Sequence, residues 1–200
     1  MEPDFGRTKV AIVGLGLMGG SLAAALRKAE ACSQVIGVAR NANTVRMAQQ
    51  LSFIHRGTTD LRAGVEDADV VVLATPVRDI ITTLDQIGPW LKPGCLVLDV
   101  GSSKHAICAA MERLPAQVQP VGGHPMCGKE SAGLTVAEPD LYQDRIFVLC
   151  PLARTAPEAV QLAQALVQAI GARPLFLEPE RHDRLVAIIS HLPYLLAVTL

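Results

Sequence analysis

Apolar residues fall in short unbroken runs that end in glycine, proline or polar residues, with helix-forming stretches between them. KVAIVGLG at 9–16 is β-branched and stops at glycine, the pattern of a strand buried on both faces. LMGGSLAAALRKA at 17–29 follows with helix formers. QVIGVAR at 34–40 and NTVRMAQQL at 43–51 repeat the strand-helix pair, and ADVVVLATP at 68–76 begins the next. There Thr75 is expected to cap a helix and Pro76 to take its first position. GCLVLDVGSSK (94–104) and VQPVGGHP (118–125) read as strands running into loops, with HAICAAMERL (105–114) as the helix between them. RIFVLCP (145–151) and RPLFLE (173–178) complete the set, flanking a helix at 157–170 that Gly171 ends.

Strands alternating with helices predict an α/β fold, a doubly wound Rossmann-like parallel sheet with helices on both faces. The boundaries expected are a dinucleotide-binding domain over 1–178 and the start of a helical domain over 179–200. That last stretch is helical in pattern, strongly apolar, and carries Pro193 inside it. A proline there frees the carbonyl of Ile189 and should kink the helix. A kink beside His191 and Tyr194 reads as a pocket wall; a buried histidine satisfied by its neighbours is the alternative.

Composition narrows the class. Half the residues are hydrophobic, 18% are charged and 4% aromatic, so aliphatic side chains build the core. A net charge of −1 offers no basic face for nucleic acid and no polybasic membrane patch. Five widely spaced cysteines without a C-x-x-C pair, and a polar N-terminal stretch, predict a reduced cytoplasmic protein. The histidines lack metal-ligand spacing, and Cys127 reads as a packing residue.

Gly14, Leu15, Gly16, Leu17, Met18 and Gly19 form G-x-G-x-x-G directly after a strand and opening a helix. The first glycine permits the tight turn, the second lets backbone approach a pyrophosphate, and the third lets helix and strand pack closely. Free N–H groups at the helix start then face the phosphates. About 20 residues on, where an acidic residue would bond a ribose 2′-hydroxyl, stand Ala39 and Arg40. A small residue and a guanidinium suit a 2′-phosphate, which predicts NADP, with NAD as the alternative. The competing reading of Arg40 is a solvated helix start.

In such a sheet, ligands bind beyond the carboxyl ends of the strands. The loops at 74–77 (with Thr75 and Pro76), 99–104 and 122–128 carry polar groups there. Ser102 and His124 are expected near the nicotinamide, His124 as a base for an alcohol being oxidised and Ser102 to orient it. Alternatively Ser102 or Ser103 caps the following helix. Gly122, Gly123 and Pro125 exclude regular helix around His124 and imply that it is held in place.

VGLGLMGGSLA, DVGSSK, GGHPMCGKESAG and SHLPY, in this order and spacing, resemble the prephenate/arogenate dehydrogenases of tyrosine biosynthesis. The resemblance implies oxidative decarboxylation of a 4-hydroxycyclohexadiene carboxylate, with prephenate or arogenate as the small-molecule substrate. His124 would accept the substrate hydroxyl's hydrogen bond, and Ser102 would sit beside it and the nicotinamide. His191, Tyr194, Lys129 and Glu130 would lie on the substrate side. Tyr194 replaces the second histidine of S-H-L-P-H, which keeps arogenate open. Family members continue into an all-α domain that makes a homodimer, so the chain is expected to hold only that domain's first helix. Two rival readings are another NADP-dependent hydroxyacid or imine reductase and a nucleotide-binding fragment without chemistry.

Overall fold

The computed structural model describes residues 5–191. Eight strands form one sheet: β1 (Lys9–Val13), β2 (Gln34–Val38), β3 (Arg56–Thr58), β4 (Val70–Leu73), β5 (Leu96–Asp99), β6 (Gln119–Pro125), β7 (Ile146–Pro151) and β8 (Arg173–Phe176). The helices are α1 (Leu17–Lys28), α2 (Ala42–Gln50), α3 (Leu61–Val65), α4 (Val77–Ile87), α5 (His105–Met111), α6 (Pro157–Ala169) and α7 (Pro179–Val186). A wider turn, Ala187–His191, continues from α7.

The strand order is β3-β2-β1-β4-β5-β6-β7-β8. The chain therefore builds outward from β1 in one direction, then crosses back to β4 and builds in the other. Side chains alternate between two cores. Val10 and Ile12 of β1, Val70 and Val72 of β4, and Leu96 and Leu98 of β5 pack with Leu22 and Leu26 of α1 and Leu166 of α6. Ala11, Val13, Val71, Leu73 and Val97 pack with Ile80 and Leu84 of α4 and Ile107 and Met111 of α5. Two apolar faces are why these strands read as continuous runs. Each such leucine, isoleucine or valine contributes about 1.5–3 kcal/mol of burial.

Three features depart from the sequence reading. The sheet is not wholly parallel: β7 runs antiparallel to β6, and β8 parallel to β7. Loop 126–145 lacks a crossover helix, so the chain returns along the neighbouring edge from the same end of the sheet. This loop instead packs on α1, where Glu138 N–H donates to Ser21 Oγ and Tyr142 O–H donates to the Met18 carbonyl. Second, β3 and α3 have no counterpart in the hydrophobic pattern, because three and five residues are too short to set a period. Third, α4 starts one residue late. Pro76 is its cap rather than its first helical residue, and Thr75 makes no capping bond. Pro193, Tyr194 and the rest of the apolar segment lie outside the described residues. Among the described residues, no helix is long and apolar enough to cross a membrane.

Candidate active site

The carboxyl ends of β1, β4, β5 and β6 lie along one edge of the sheet, because these strands are mutually parallel. Between β1 and β4 the direction of building reverses, which opens a crevice there. A cleft of about 590 Å³ occupies it, bordered by Gly14, Leu15 and Gly16 on one wall and Ala39, Arg40, Thr75 and Pro76 on the others. Leu17, Met18, Gly19 and Ser102 do not line it.

The glycines have distinct causes. Gly14 has φ +99°, and a Cβ there would sit 2.6 Å from the Ala74 carbonyl oxygen. A Cβ on Gly19 would lie 1.9 Å from the Gly14 carbonyl oxygen, so α1 packs onto the turn only with glycine here. Gly16, by contrast, faces open space. No side chain caps α1, so the first N–H groups of the helix, which follows directly on the Gly14–Gly16 wall, have no side-chain acceptor. The Thr75 hydroxyl is buried and has no hydrogen-bond partner among the described residues. A glycine-lined floor, an uncapped helix start and an orphaned hydroxyl fit a dinucleotide.

Arg40 is almost fully exposed at the rim, with Nη2 3.9 Å from Asp79 Oδ2 of α4. The sequence reading missed Asp79, since nothing in the chain's pattern brings the first turn of α4 to the end of β2.

Beyond β5 and β6 lies a buried polar cluster. Asp99 and Lys104 are fully buried and ion-paired. Asp99 Oδ2 accepts from Gly101 N–H at 2.7 Å and Oδ1 from Gly123 N–H at 2.9 Å. Lys104 Nζ also donates to the Gly123 carbonyl. One carboxylate thus holds the residue before Ser102 and the residue before His124. Burial pushes the Asp99 carboxyl upward, while Lys104 and the two N–H groups pull it back. Ser102 is exposed at the top of this loop and His124 is half-buried. Neither Ser102 nor Ser103 caps α5. That role belongs to Asp183 of α7, whose carboxylate accepts from Lys104 N–H at 2.7 Å and His105 N–H at 2.9 Å.

His124 has a further neighbour absent from the sequence reading. Its Nδ1 lies 2.8 Å from Nε2 of His182, which is fully buried, and the two rings meet edge-on at 72°. His182 Nδ1 in turn lies 2.7 Å from Asp183 Oδ1. Burial raises the Asp183 carboxyl, but the His105 and Lys104 N–H groups and His182 together hold it below its ordinary value. The signal in the sequence is slight: His182 and Asp183 are adjacent in the middle of α7, with His182 one turn before the buried Val186.

Other expected residues are spread more widely. Lys129 turns to Glu138 (2.8 Å) and the Val136 carbonyl (3.2 Å) within its own loop. Glu130 is exposed on that loop. His191 closes the turn after α7, and Tyr194 is outside the described residues. Cys127 is half-buried and its thiol is pushed up to about 11 by burial, the behaviour of a packing residue. No cluster of metal ligands occurs among the described residues.

Residues 22–175 match the family model described as "Prephenate dehydrogenase, nucleotide-binding domain". The prephenate dehydrogenase of Bacillus subtilis is 31% identical over 193 residues, covering 96% of this chain and 52% of that protein. A structure of prephenate dehydrogenase from Aquifex aeolicus, in complex with hydroxyphenyl propionate and NAD+, superposes with a TM-score of 0.89 at 32% identity. The match covers 96% of this chain and 68% of that one. Synechocystis arogenate dehydrogenase gives a TM-score of 0.87 at 34% identity, covering 92% and 65%. The chain spans about half the length of the first curated relatives it matches.

Proposed function

The chain belongs to the prephenate dehydrogenase family through its nucleotide-binding domain, and we propose that it carries the cofactor site and the proton-accepting half of a prephenate or arogenate dehydrogenase of tyrosine biosynthesis. The observation that carries this reading is the coupling of two loops through one buried carboxylate. Asp99 bonds the residues preceding both Ser102 and His124, at the edge of the sheet where the dinucleotide cleft opens.

In this reading Gly14, Leu15 and Gly16 line the pyrophosphate site, with Leu17, Met18 and Gly19 shaping the turn behind them and Thr75 and Pro76 closing the far wall. A bound nicotinamide supplies the hydride acceptor. His124 accepts the proton of the substrate's C4 hydroxyl as hydride leaves that carbon, and Ser102 orients the hydroxyl. Loss of carbon dioxide then completes an aromatic ring. His191, Tyr194, Lys129 and Glu130 belong on the substrate side of this scheme, with Lys129 released from Glu138 to take part.

NADP is the preferred nucleotide in this reading. Ala39 leaves room for a 2′-phosphate, and the Arg40–Asp79 separation of 3.9 Å at an exposed rim leaves the guanidinium available to it. Residues 1–178 form the dinucleotide-binding domain and 179–200 begin a helical substrate and dimerisation domain. A cytoplasmic homodimer is the state proposed in this reading.

The test is nicotinamide reduction by residues 1–200 with prephenate and with arogenate, each offered NADP and NAD, alongside direct nucleotide binding. Turnover that is lost in His124→Asn while nucleotide affinity stays within about twofold supports the assignment. Turnover unchanged in that variant overturns the role of His124. Nucleotide binding without turnover assigns this chain the cofactor function alone, and turnover of a hydroxyacid or imine instead identifies a different reductase.

A further inference from the structure

Resting on the reading of His124 as the base, we infer that His182 and Asp183 are positioning residues that fix the tautomer of His124 and disperse the charge it acquires. Asp183 is an acceptor only, because two backbone N–H groups point at its carboxylate and the carboxyl is held below its ordinary value. The contact to His182 Nδ1 therefore requires the ring proton of His182 on that nitrogen. A neutral imidazole has one N–H, so His182 Nε2 is the lone pair. The 2.8 Å contact between His182 Nε2 and His124 Nδ1 then needs its proton from His124. The basic lone pair of His124 is consequently on Nε2. Two hydrogen bonds, ending on a carboxylate that is itself anchored to α5, set which nitrogen of His124 can accept a proton.

The surroundings favour this polarity. His182 is fully buried, so both of its ring nitrogens must find partners within the protein. Asp99 and Lys104, buried in the same polar cluster, are paired with one another. Cys108 of α5 and Cys150 of β7 face the same interior, and burial raises both thiols so that they stay neutral. His105 and Glu180 pair with each other at the exposed end of α7. When His124 Nε2 takes the substrate proton, its Nδ1–H bond polarises toward His182, whose own Nδ1–H polarises toward Asp183. One proton enters at Nε2, none leaves the chain of rings, and the new positive charge is shared with a carboxylate. The arrangement extends the serine-histidine-aspartate logic by one ring, with the carboxylate acting through a second imidazole.

Nitrogen-15 NMR of the histidine rings in residues 1–200 at neutral pH reads the tautomers directly and needs no turnover. The expected result is Nδ1–H for both His124 and His182, against the Nε2–H form that predominates for unconstrained imidazoles. His182→Leu removes the acceptor and should return His124 largely to Nε2–H. His182→Gln offers a carbonyl oxygen in its place and should restore the Nδ1–H form of His124. An Nε2–H signal for His124 in the unmodified chain, or a doubly protonated His182, overturns the proposal. So does an unchanged His124 signal in a folded His182→Leu. These outcomes are independent of the His124→Asn turnover test: the tautomers can be as stated while His124 proves dispensable, and the reverse.

Discussion

Arg40 and Thr75 illustrate how single residues acquire a role only from what stands opposite them. Arg40 follows β2 and reads equally as a solvated arginine or a phosphate ligand. Its position on the rim of the cleft, across from Asp79, is what supports the second reading. Arg40→Ala should weaken NADP binding by about tenfold or more while leaving NAD nearly unchanged, as expected for losing a charge-assisted bond to a phosphate. Calorimetric titration with each nucleotide checks this. Comparable NADP and NAD affinities in the unmodified chain would remove the basis for the nucleotide preference. Thr75 was legible as a polar residue at a strand end, but the orphaned state of its hydroxyl was not. Orphaning depends on burial by neighbours distant in sequence.

At the scale of elements, α5 is a short helix whose start is bonded by a residue 78 positions away. Serines at 102 and 103 made a local cap the natural expectation, since serine is a preferred capping residue. The carboxylate of Asp183 takes that place because α7 packs its first turns against α5, and a carboxylate at a helix start gains from the macrodipole as well. Asp183→Ala should therefore cost about 0.5–2 kcal/mol at neutral pH, read from urea unfolding. The folded carboxyl is held below its ordinary value of 3.8, so its contribution is complete above the unfolded value. It disappears as pH falls through the folded one. The difference between the two proteins should shrink accordingly below about pH 4. A pH-independent difference would mean that packing, not the charge, is what the substitution removes.

The whole molecule is a sheet with two apolar faces and one polar seam. That seam runs through Asp99 and Lys104, both fully buried, and joins the β5 and β6 ends to α5 and α7. Lys104→Met leaves the Asp99 charge buried and unpaired, and should destabilise the chain by about 3–5 kcal/mol in urea unfolding. Asp99→Asn combined with Lys104→Met should recover part of that loss, because the charge is gone and an amide oxygen can still accept one N–H. A single variant with unchanged stability would show that the pair is not what ties the seam together.

The sequence by itself determined the alternation of strands and helices, the glycine turn after β1 and the family, because each rests on local pattern: continuous apolar runs, turn glycines and short motifs. It also placed Ser102 and His124 at strand ends. It did not determine the reversal at β7, which depends on loop 126–145 docking onto α1 rather than forming a crossover helix. Nor did it reveal the chain His124–His182–Asp183, the Arg40–Asp79 approach or the Asp99 carboxylate shared between two loops. Apart from the adjacent His182–Asp183 pair and the Asp99–Gly101 bond, those contacts join residues 24 to 58 positions apart. Their partners are chosen by which strands neighbour one another in the sheet and which helix ends pack together, and no local periodicity encodes that choice.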